Sequence, residues 1–133
     1  MNFTLLYIFN DLTKDKFLMH EMSIALNILD IVEKELKKAD GKKIERLNLV
    51  VGKLSGVVVE SLQFALEASR NSSAIADAEI IIDEVAATMK CMNCDFEFKA
   101  DDFYTICPKC NSFKHQIMTG KELFIKSLTI QQD

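Results

Sequence analysis

The sequence predicts an α/β fold of the α+β type, in which two helices cover a small three-stranded sheet and a cysteine-bearing module is inserted before the last strand. Two segments carry apolar residues at helical spacing, and three have the length and apolar content of strands. Two C-x-x-C pairs lie between the second and third of those strands. With 133 residues, we expect one domain with a small appended module.

The first helix is predicted over residues 21–39. Its apolar residues recur at spacings of three and four and form one stripe, which isoleucines widen: Met22, Ile24, Leu26, Ile28, Leu29, Ile31, Val32 and Leu36. Glu21 suits the positive end of the helix dipole. Asp40 and Gly41 follow the helix and supply the left-handed cap that ends it.

The later elements alternate between strand and helix. Strands are predicted over residues 44–51, 79–85 and 122–130, and a second helix over residues 60–71. In the last strand Leu123 and Ile125 alternate in one phase, whereas Leu128 and Ile130 alternate after a shift. The predicted order is therefore helix, strand, helix, strand, cysteine module, strand.

Charge and the length of apolar runs argue against two classes of protein. The chain has 16 Lys and Arg against 20 Asp and Glu, a net charge of −4, so it lacks the broad basic surface that nucleic-acid binding uses. The longest apolar stretches, such as residues 3–9, are far shorter than the roughly 18–20 residues that span a bilayer. We expect no nucleic-acid and no membrane partner, and a cytoplasmic location.

Residues 1–18 differ from the rest of the chain. Their apolar run has no basic segment before it and no small-residue cleavage site after it, which disfavours a secretory signal. We interpret them as a non-native or disordered leader, with a short strand as the alternative. On this interpretation the biological start is Met19.

The four cysteines form two matched pairs. Cys91 and Cys94 are two residues apart, as are Cys107 and Cys110, and twelve residues separate the pairs. Each pair bends into a knuckle that directs two thiolates at one ion, and two knuckles complete a tetrahedral sulfur site. The spacing predicts a structural zinc ribbon over residues 87–118, and leaves an α/β domain over residues 19–86 and 119–133. Iron, two disulfides or a redox pair are less favoured alternatives.

The two histidines are candidates for other metal roles. His20 and Glu21 can be read simply as the capping turn of the first helix. If Met19 is residue one, its amine, the His20 amide nitrogen and the His20 imidazole close two chelate rings around one ion, and such nitrogen donors suit Ni(II) or Cu(II). His115 is either a surface side chain or a neighbour of the zinc ligands.

Three features occur together in this chain: the opening MHEMSIALNILDIVE, the connecting segment VGKLSGVVVESLQFALE, and the pairs CMNC and CPKC. In these features the chain resembles the HypA/HybF family of nickel metallochaperones over about residues 19–130. The resemblance implies a carrier without enzymatic activity, which delivers Ni(II) as cargo for maturation of [NiFe]-hydrogenase and, in some members, of urease.

The resemblance also assigns roles to residues and partners. It implies that His20 is the main nickel ligand, with the Met19 amine and Glu21 contributing, and that the zinc ligands are Cys91, Cys94, Cys107 and Cys110. The implied partners are a maturation GTPase and the precursor of the hydrogenase large subunit, and a weak homodimer stays open. The alternative function is a zinc-ribbon module that binds protein or nucleic acid without transferring nickel.

Overall fold

The structure, a computed structural model, describes residues 2–11, 21–71 and 73–132. Its elements in chain order are β1 (Asn2–Asp11), α1 (Glu21–Lys38), β2 (Lys43–Gly52), α2 (Val59–Ala68), β3 (Glu79–Val85), β4 (Ala87–Cys91), β5 (Glu97–Ala100), β6 (His115–Thr119) and β7 (Leu123–Gln132). The strands form two sheets, one of four strands and one of three. The predicted fold class, two helices with small sheets and an inserted cysteine module, is confirmed.

The larger sheet has the strand order β1-β7-β2-β3. β2 and β3 are parallel and joined by α2, whereas β7 runs antiparallel to both of its neighbours. Helix α1 contributes Ile24, Ile28 and Val32 to the core, and α2 contributes Leu62 and Leu66. These side chains pack with one face of the sheet, so a single apolar core holds the α/β part together.

Two isoleucines of helix α1 face the core, whereas two other residues of the predicted apolar stripe are exposed. Ile24 and Ile28 are buried, whereas Leu26 is 56% exposed and Met22 is 39% exposed. At the C-terminal end Asp40, not Gly41, takes the left-handed conformation with φ 51°. Gly41 is needed for a different reason, because a Cβ there would overlap the side chain of Ile130. The helix therefore ends near the expected position, with Asp40 in the left-handed conformation and Gly41 leaving room for Ile130.

The shift in apolar alternation along the last strand is a β-bulge. The register of β7 against β2 breaks between Asn48, opposite Ser127, and Leu49, opposite Ile125. Lys126 is the extra residue and is exposed. Because one inserted residue reverses which face the following residues occupy, both halves of β7 bury their apolar side chains in the same core.

The structure adds a fourth strand to the three predicted, at Asn2–Asp11, where a short strand was the alternative to a disordered leader. These residues form β1, which pairs antiparallel with β7 from Asn2 opposite Gln132 to Asp11 opposite Phe124. The apolar run provides a strand, and β7 would otherwise present an unpaired edge of backbone donors and acceptors. Residues 12–20 lie outside the described part of the chain. In the described residues no helix is long and apolar enough to cross a membrane.

Helix α2 ends at Ala68, three residues earlier than predicted. The Ser69 hydroxyl donates to the Ala65 carbonyl at 2.9 Å, and the Arg70 guanidinium donates to the carbonyls of Ile75 and Ala78 at 3.0 and 2.7 Å. Arg70 also pairs with the Glu67 carboxylate at 2.8 Å. The guanidinium therefore ties the helix end to the following loop, which is why the helical pattern does not continue to residue 71.

The smaller sheet has the order β5-β4-β6, with antiparallel neighbours, and branches from the larger one between β3 and β7. Its buried cluster comprises Leu54, Ala87, Met89, Cys91, Phe98, Ala100 and Cys107. Leu54 belongs to the segment between β2 and α2, so the α/β part places one side chain inside the core of the cysteine module. The two parts of the molecule therefore share a packed junction.

Candidate metal centre

The four cysteines meet at the end of the smaller sheet. All four Sγ atoms lie within 4.8 Å of one another, with Cys91 3.5 Å from Cys110 and Cys94 3.6 Å from Cys107. In a tetrahedral zinc site with Zn–S bonds of about 2.3 Å, the sulfur atoms are roughly 3.8 Å apart. The spacing of these sulfurs is therefore that of a tetrathiolate cage around one ion, far longer than a disulfide bond.

Both C-x-x-C pairs fold into the same turn. The amide of Asp95 donates to the Cys91 carbonyl at 3.0 Å, and the amide of Asn111 donates to the Cys107 carbonyl at 2.9 Å. Asp95 and Asn111 have φ of 64° and 63°, in the left-handed region that these two residue types tolerate better than most. The residue after each pair thus reverses the chain and brings the two sulfurs of its knuckle together.

Donors surround the sulfur atoms. The backbone amides of Asn93 and Cys94 both approach Cys91 Sγ at 3.4 Å, and the amide of Lys109 approaches Cys107 Sγ at 3.4 Å. Asn93 lies in the first knuckle, and its side-chain amide donates to Cys110 Sγ of the second knuckle at 3.6 Å. Such donors stabilise thiolate charge and orient the ligands around an ion.

The thiols differ in how readily they ionise. The hydrogen bond from the Asn93 side chain and that from the Ser112 backbone lower the pKa of the Cys110 thiol to about 6. Although the backbone of Phe96 acts to lower the pKa of Cys94, burial and the three neighbouring sulfurs raise it to about 12. Four sulfurs this close cannot all carry negative charge without a cation, so a metal ion is the natural partner of the fully ionised set.

The chemistry of the donors fits zinc in a structural role. Four soft thiolates in a tetrahedral arrangement satisfy the coordination of Zn²⁺ and leave no position for a water or a substrate. Two ligands, Cys91 and Cys107, are buried in the small core, so the ion would complete that core. A closed site of this kind suits a structural role in the module.

The sequence-predicted nickel ligands are only partly within the described residues. Met19 and His20 lie outside them, and Glu21 is the half-buried first residue of α1. His115 lies opposite Cys91 in the register of β4 and β6, and its Nδ1 is 3.0 Å from the Phe113 carbonyl oxygen. In the described part of the chain His115 is not among the grouped metal-binding side chains, which are the four cysteines.

Two residues of this region escaped the sequence-based reasoning. Asn93 supports the cage through its side-chain amide, and nothing about a middle position in C-x-x-C marks that role. Leu54 enters the core of the module from a distant segment, and its apolar character alone does not distinguish it from its neighbours. The left-handed positions were recognisable in principle, since Asp or Asn follows each pair.

Comparisons with known proteins agree with this architecture. Residues 19–130 match the family described as "Hydrogenase/urease nickel incorporation, metallochaperone, hypA". A hydrogenase maturation factor HypA of Prosthecochloris aestuarii is 40% identical over 113 residues, which are 85% of this chain and all of that protein. The HypA of Chlorobaculum parvum is 41% identical over 113 residues, with the same coverage.

Two solved structures have the same fold. The solution structure of the Ni metallochaperone HypA from Helicobacter pylori superposes with a TM-score of 0.59 at 29% identity, covering 86% of this chain and all of that one. A second HypA solution structure gives a TM-score of 0.60 at 31% identity, covering 86% of this chain and 98% of that one. The family match over residues 19–130 thus includes both helices, the cysteine module and all strands that follow β1, apart from the last two residues of β7.

Proposed function

The chain belongs to the HypA family of hydrogenase and urease nickel-incorporation metallochaperones, and we propose that it carries Ni(II) on residues 19–21, at the start of α1. As a nickel metallochaperone it serves hydrogenase maturation. The observation that carries this assignment is the family match over residues 19–130, which includes the MHE opening, both helices and the four cysteines.

The proposed nickel ligands are the Met19 amine, the amide and imidazole nitrogens of His20, and the carboxylate of Glu21. Support comes from the family match, which begins at residue 19, and from a relative whose whole length is matched by 85% of this chain. A chain starting at Met19 has a free amine next to the histidine, and nitrogen donors of this kind favour Ni(II).

The position at the start of a helix suits a carrier. The N-terminal end of α1 bears the positive end of the helix dipole, which disfavours a bound cation by about 0.3–1 kcal/mol per charge in exposed settings. The Glu21 carboxylate offsets that repulsion. A site at a chain end also needs few protein contacts to be broken when the ion is passed on.

We propose that nickel and zinc are bound by different parts of the chain. In this proposal residues 19–86 and 119–133 form the nickel-binding domain, residues 87–118 form the zinc ribbon, and residues 1–18 are a non-native leader whose β1 strand pairs with the edge of the sheet. We propose a maturation GTPase and the precursor of the hydrogenase large subunit as partners, and the cytoplasm as the location, where cysteines stay reduced. The chain acts as a carrier and not as an enzyme. An interaction module without nickel transfer is not favoured, since the match to the nickel-incorporation family includes residues 19–21, where we propose that nickel binds.

The first test is substitution of the two histidines. We predict that His20→Ala abolishes binding of Ni(II) in a calorimetric titration of the form beginning at Met19, because the imidazole and its chelate ring are lost. His115→Ala is the matched control and keeps full nickel binding. Both variants keep one zinc per chain by elemental analysis. Stoichiometric nickel in the His20 variant would refute the assignment.

The second test compares a chain starting at Met1 with one starting at Met19. We predict tight binding of one Ni(II) only by the shorter chain, because an amide nitrogen replaces the amine when residues 1–18 precede it. Zinc content should be equal. Equal nickel affinity of the two chains would exclude the amine and require a ligand set built on His20 alone.

Zinc should be separable from nickel. We predict that Cys94→Ser releases zinc and makes the ribbon sensitive to limited proteolysis, because metal binding supplies much of the folding free energy of so small a module. Nickel binding at the start of α1 should persist. Retention of full zinc with unchanged proteolysis would contradict the role of Cys94.

A further inference from the structure

The ribbon carries a small cleft beside the zinc knuckles. Phe96, Pro108 and Lys109 line it, and its volume is about 220 Å³. Pro108 and Lys109 are the two middle residues of the second C-x-x-C pair, and Phe96 follows the first knuckle. Cofactor and drug-sized ligand sites occupy roughly 300–1,000 Å³, so this cleft has room for a single side chain.

The walls of the cleft are held in place by the metal-binding turns. The Cys91 amide donates to the Phe96 carbonyl at 2.8 Å, and the Lys109 amide donates to Cys107 Sγ at 3.4 Å. The Phe96 ring stacks on Phe98, which is buried, with centroids 6.5 Å apart and planes 13° apart. Phe96 is nonetheless 40% exposed. Because these contacts already hold the Phe96 ring in place, the side chain loses little conformational entropy when it binds a partner.

A single cation stands at the mouth of the cleft. The Lys109 ammonium lies 5.8 Å from the centroid of the Phe96 ring. Within the described part of the chain no carboxylate forms an ion pair with it, whereas Lys53, in the segment between β2 and α2, pairs with Asp101 at 3.3 Å. Asp95 precedes Phe96 but does not bond to Lys109. The cleft thus offers an apolar wall beside an ammonium that lies over the Phe96 ring in a cation–π contact and that pairs with no carboxylate of the described residues.

We propose that this cleft docks a short acidic segment of a partner protein. An aliphatic or aromatic side chain of the segment enters between Phe96 and Pro108, and a neighbouring carboxylate pairs with the Lys109 ammonium. The proposal does not involve Met19, His20 or Glu21, so its test is independent of nickel binding.

The test uses the zinc-loaded chain and two probe peptides. One is acetyl-Asp-Leu-Phe-Glu-amide, and its matched control has Asn and Gln in place of the two acids. Binding is followed by amide chemical shifts in ¹⁵N-labelled protein. We expect the acidic peptide to shift the amides of residues 96, 98 and 109, and to bind about tenfold more tightly than the neutral one, because only it pairs with the lysine.

Two variants localise the effect. Lys109→Glu should weaken binding of the acidic peptide about tenfold or more, whereas Lys114→Glu, which makes the same charge change on the same module outside the cleft, should leave it within twofold. Phe96→Ser should abolish binding, whereas Phe113→Ser, at an aromatic residue that is 74% exposed, should not. The absorption bands of Co(II) in place of zinc verify that each variant keeps the sulfur cage.

Three results would overturn the proposal. The first is equal affinity for the acidic and neutral peptides. The second is equal weakening by Lys109→Glu and Lys114→Glu, which would reduce the effect to net charge. The third is concentration-dependent shifts of residues 96 and 109 without peptide, which would make a second copy of this chain the occupant. Nickel titration of the Phe96→Ser variant is expected to match the unchanged chain.

Discussion

At the scale of single residues, the zinc cage depends on backbone conformation as much as on sulfur. The residue after each C-x-x-C pair is left-handed, and its amide bonds to the carbonyl of the first cysteine. In that region the Cβ of an ordinary L-residue comes too close to a backbone carbonyl oxygen, at a cost of roughly 1–2 kcal/mol. Asp95 and Asn111 tolerate the conformation, which lets both knuckles close without glycine.

Asn111 provides a direct test of this argument. We predict that Asn111→Val lowers the free energy of unfolding of the zinc-loaded chain by about 1–2 kcal/mol, because a β-branched residue is strained at φ 63°. Asn111→Gly is the matched control and should be neutral within about 0.5 kcal/mol, since glycine adopts this conformation freely. Denaturant unfolding with excess zinc measures both. Equal stability of the valine and glycine variants would show that the turn is not constrained.

Residue spacing explains why the zinc ligands were predictable and their support was not. Two matched C-x-x-C pairs specify four ligands in sequence, because each pair forms its own local turn. The amide of Asn93 reaches Cys110 across the other knuckle at 3.6 Å, and such a contact depends on how the knuckles face each other. Local patterns do not contain that information.

At the scale of elements, the hydrophobic pattern predicted the structure of a strand wherever one face of the sheet is buried. The change of phase between Ile125 and Leu128 marks the bulge at Lys126, because a strand that keeps its apolar side chains on one face must add a residue to change phase. The β1 strand was not predicted as the preferred state. Its run of apolar residues fits a disordered leader equally well. Only the pairing with the edge of β7 distinguishes a strand from a leader.

This edge leads to a prediction for the chain beginning at Met19. Without β1, the backbone groups of β7 that pair with Asn2–Asp11 face solvent. We predict faster hydrogen exchange of the β7 amides that point to β1, with unchanged exchange of those that point to β2, and a greater tendency to self-associate in sedimentation experiments. Identical exchange in the long and short chains would mean that β1 does not hold this edge in solution.

At the scale of the whole molecule, the segment after β2 binds both segments that connect the zinc ribbon to the α/β part. The Leu54 amide donates to the Gly120 carbonyl at 2.6 Å, and the Lys53 amide donates to the Val85 carbonyl at 2.9 Å. A Cβ on Gly52 would overlap the Gly120 carbonyl, and one on Gly120 would lie 2.8 Å from the Ala87 Cα. The backbones at the junction are therefore as close as glycine permits.

Leu54 is the side chain through which this junction acts. It is 4% exposed, it belongs to the segment between β2 and α2, and it packs with Met89 and Phe98 in the core of the ribbon. The ribbon cannot swing away from the sheet without exposing Leu54 and opening its own core. We therefore expect the two parts to tumble as one body, with equal rotational correlation times from ¹⁵N relaxation.

The expected consequence of Leu54→Ala follows from these contacts. Truncating a buried leucine costs about 2–5 kcal/mol, and here the loss falls on the contact between the two parts. We predict that the ribbon then shows a shorter correlation time than the α/β part while zinc content stays at one per chain, because the turns of the two C-x-x-C pairs hold the four ligands. Leu26→Ala, at a leucine that is 56% exposed, is the matched control and should change neither quantity. Equal correlation times of the two parts in Leu54→Ala would show that the hydrogen bonds and close backbone contacts suffice to hold the ribbon against the sheet. Leu54 would then stabilise only the core of the ribbon.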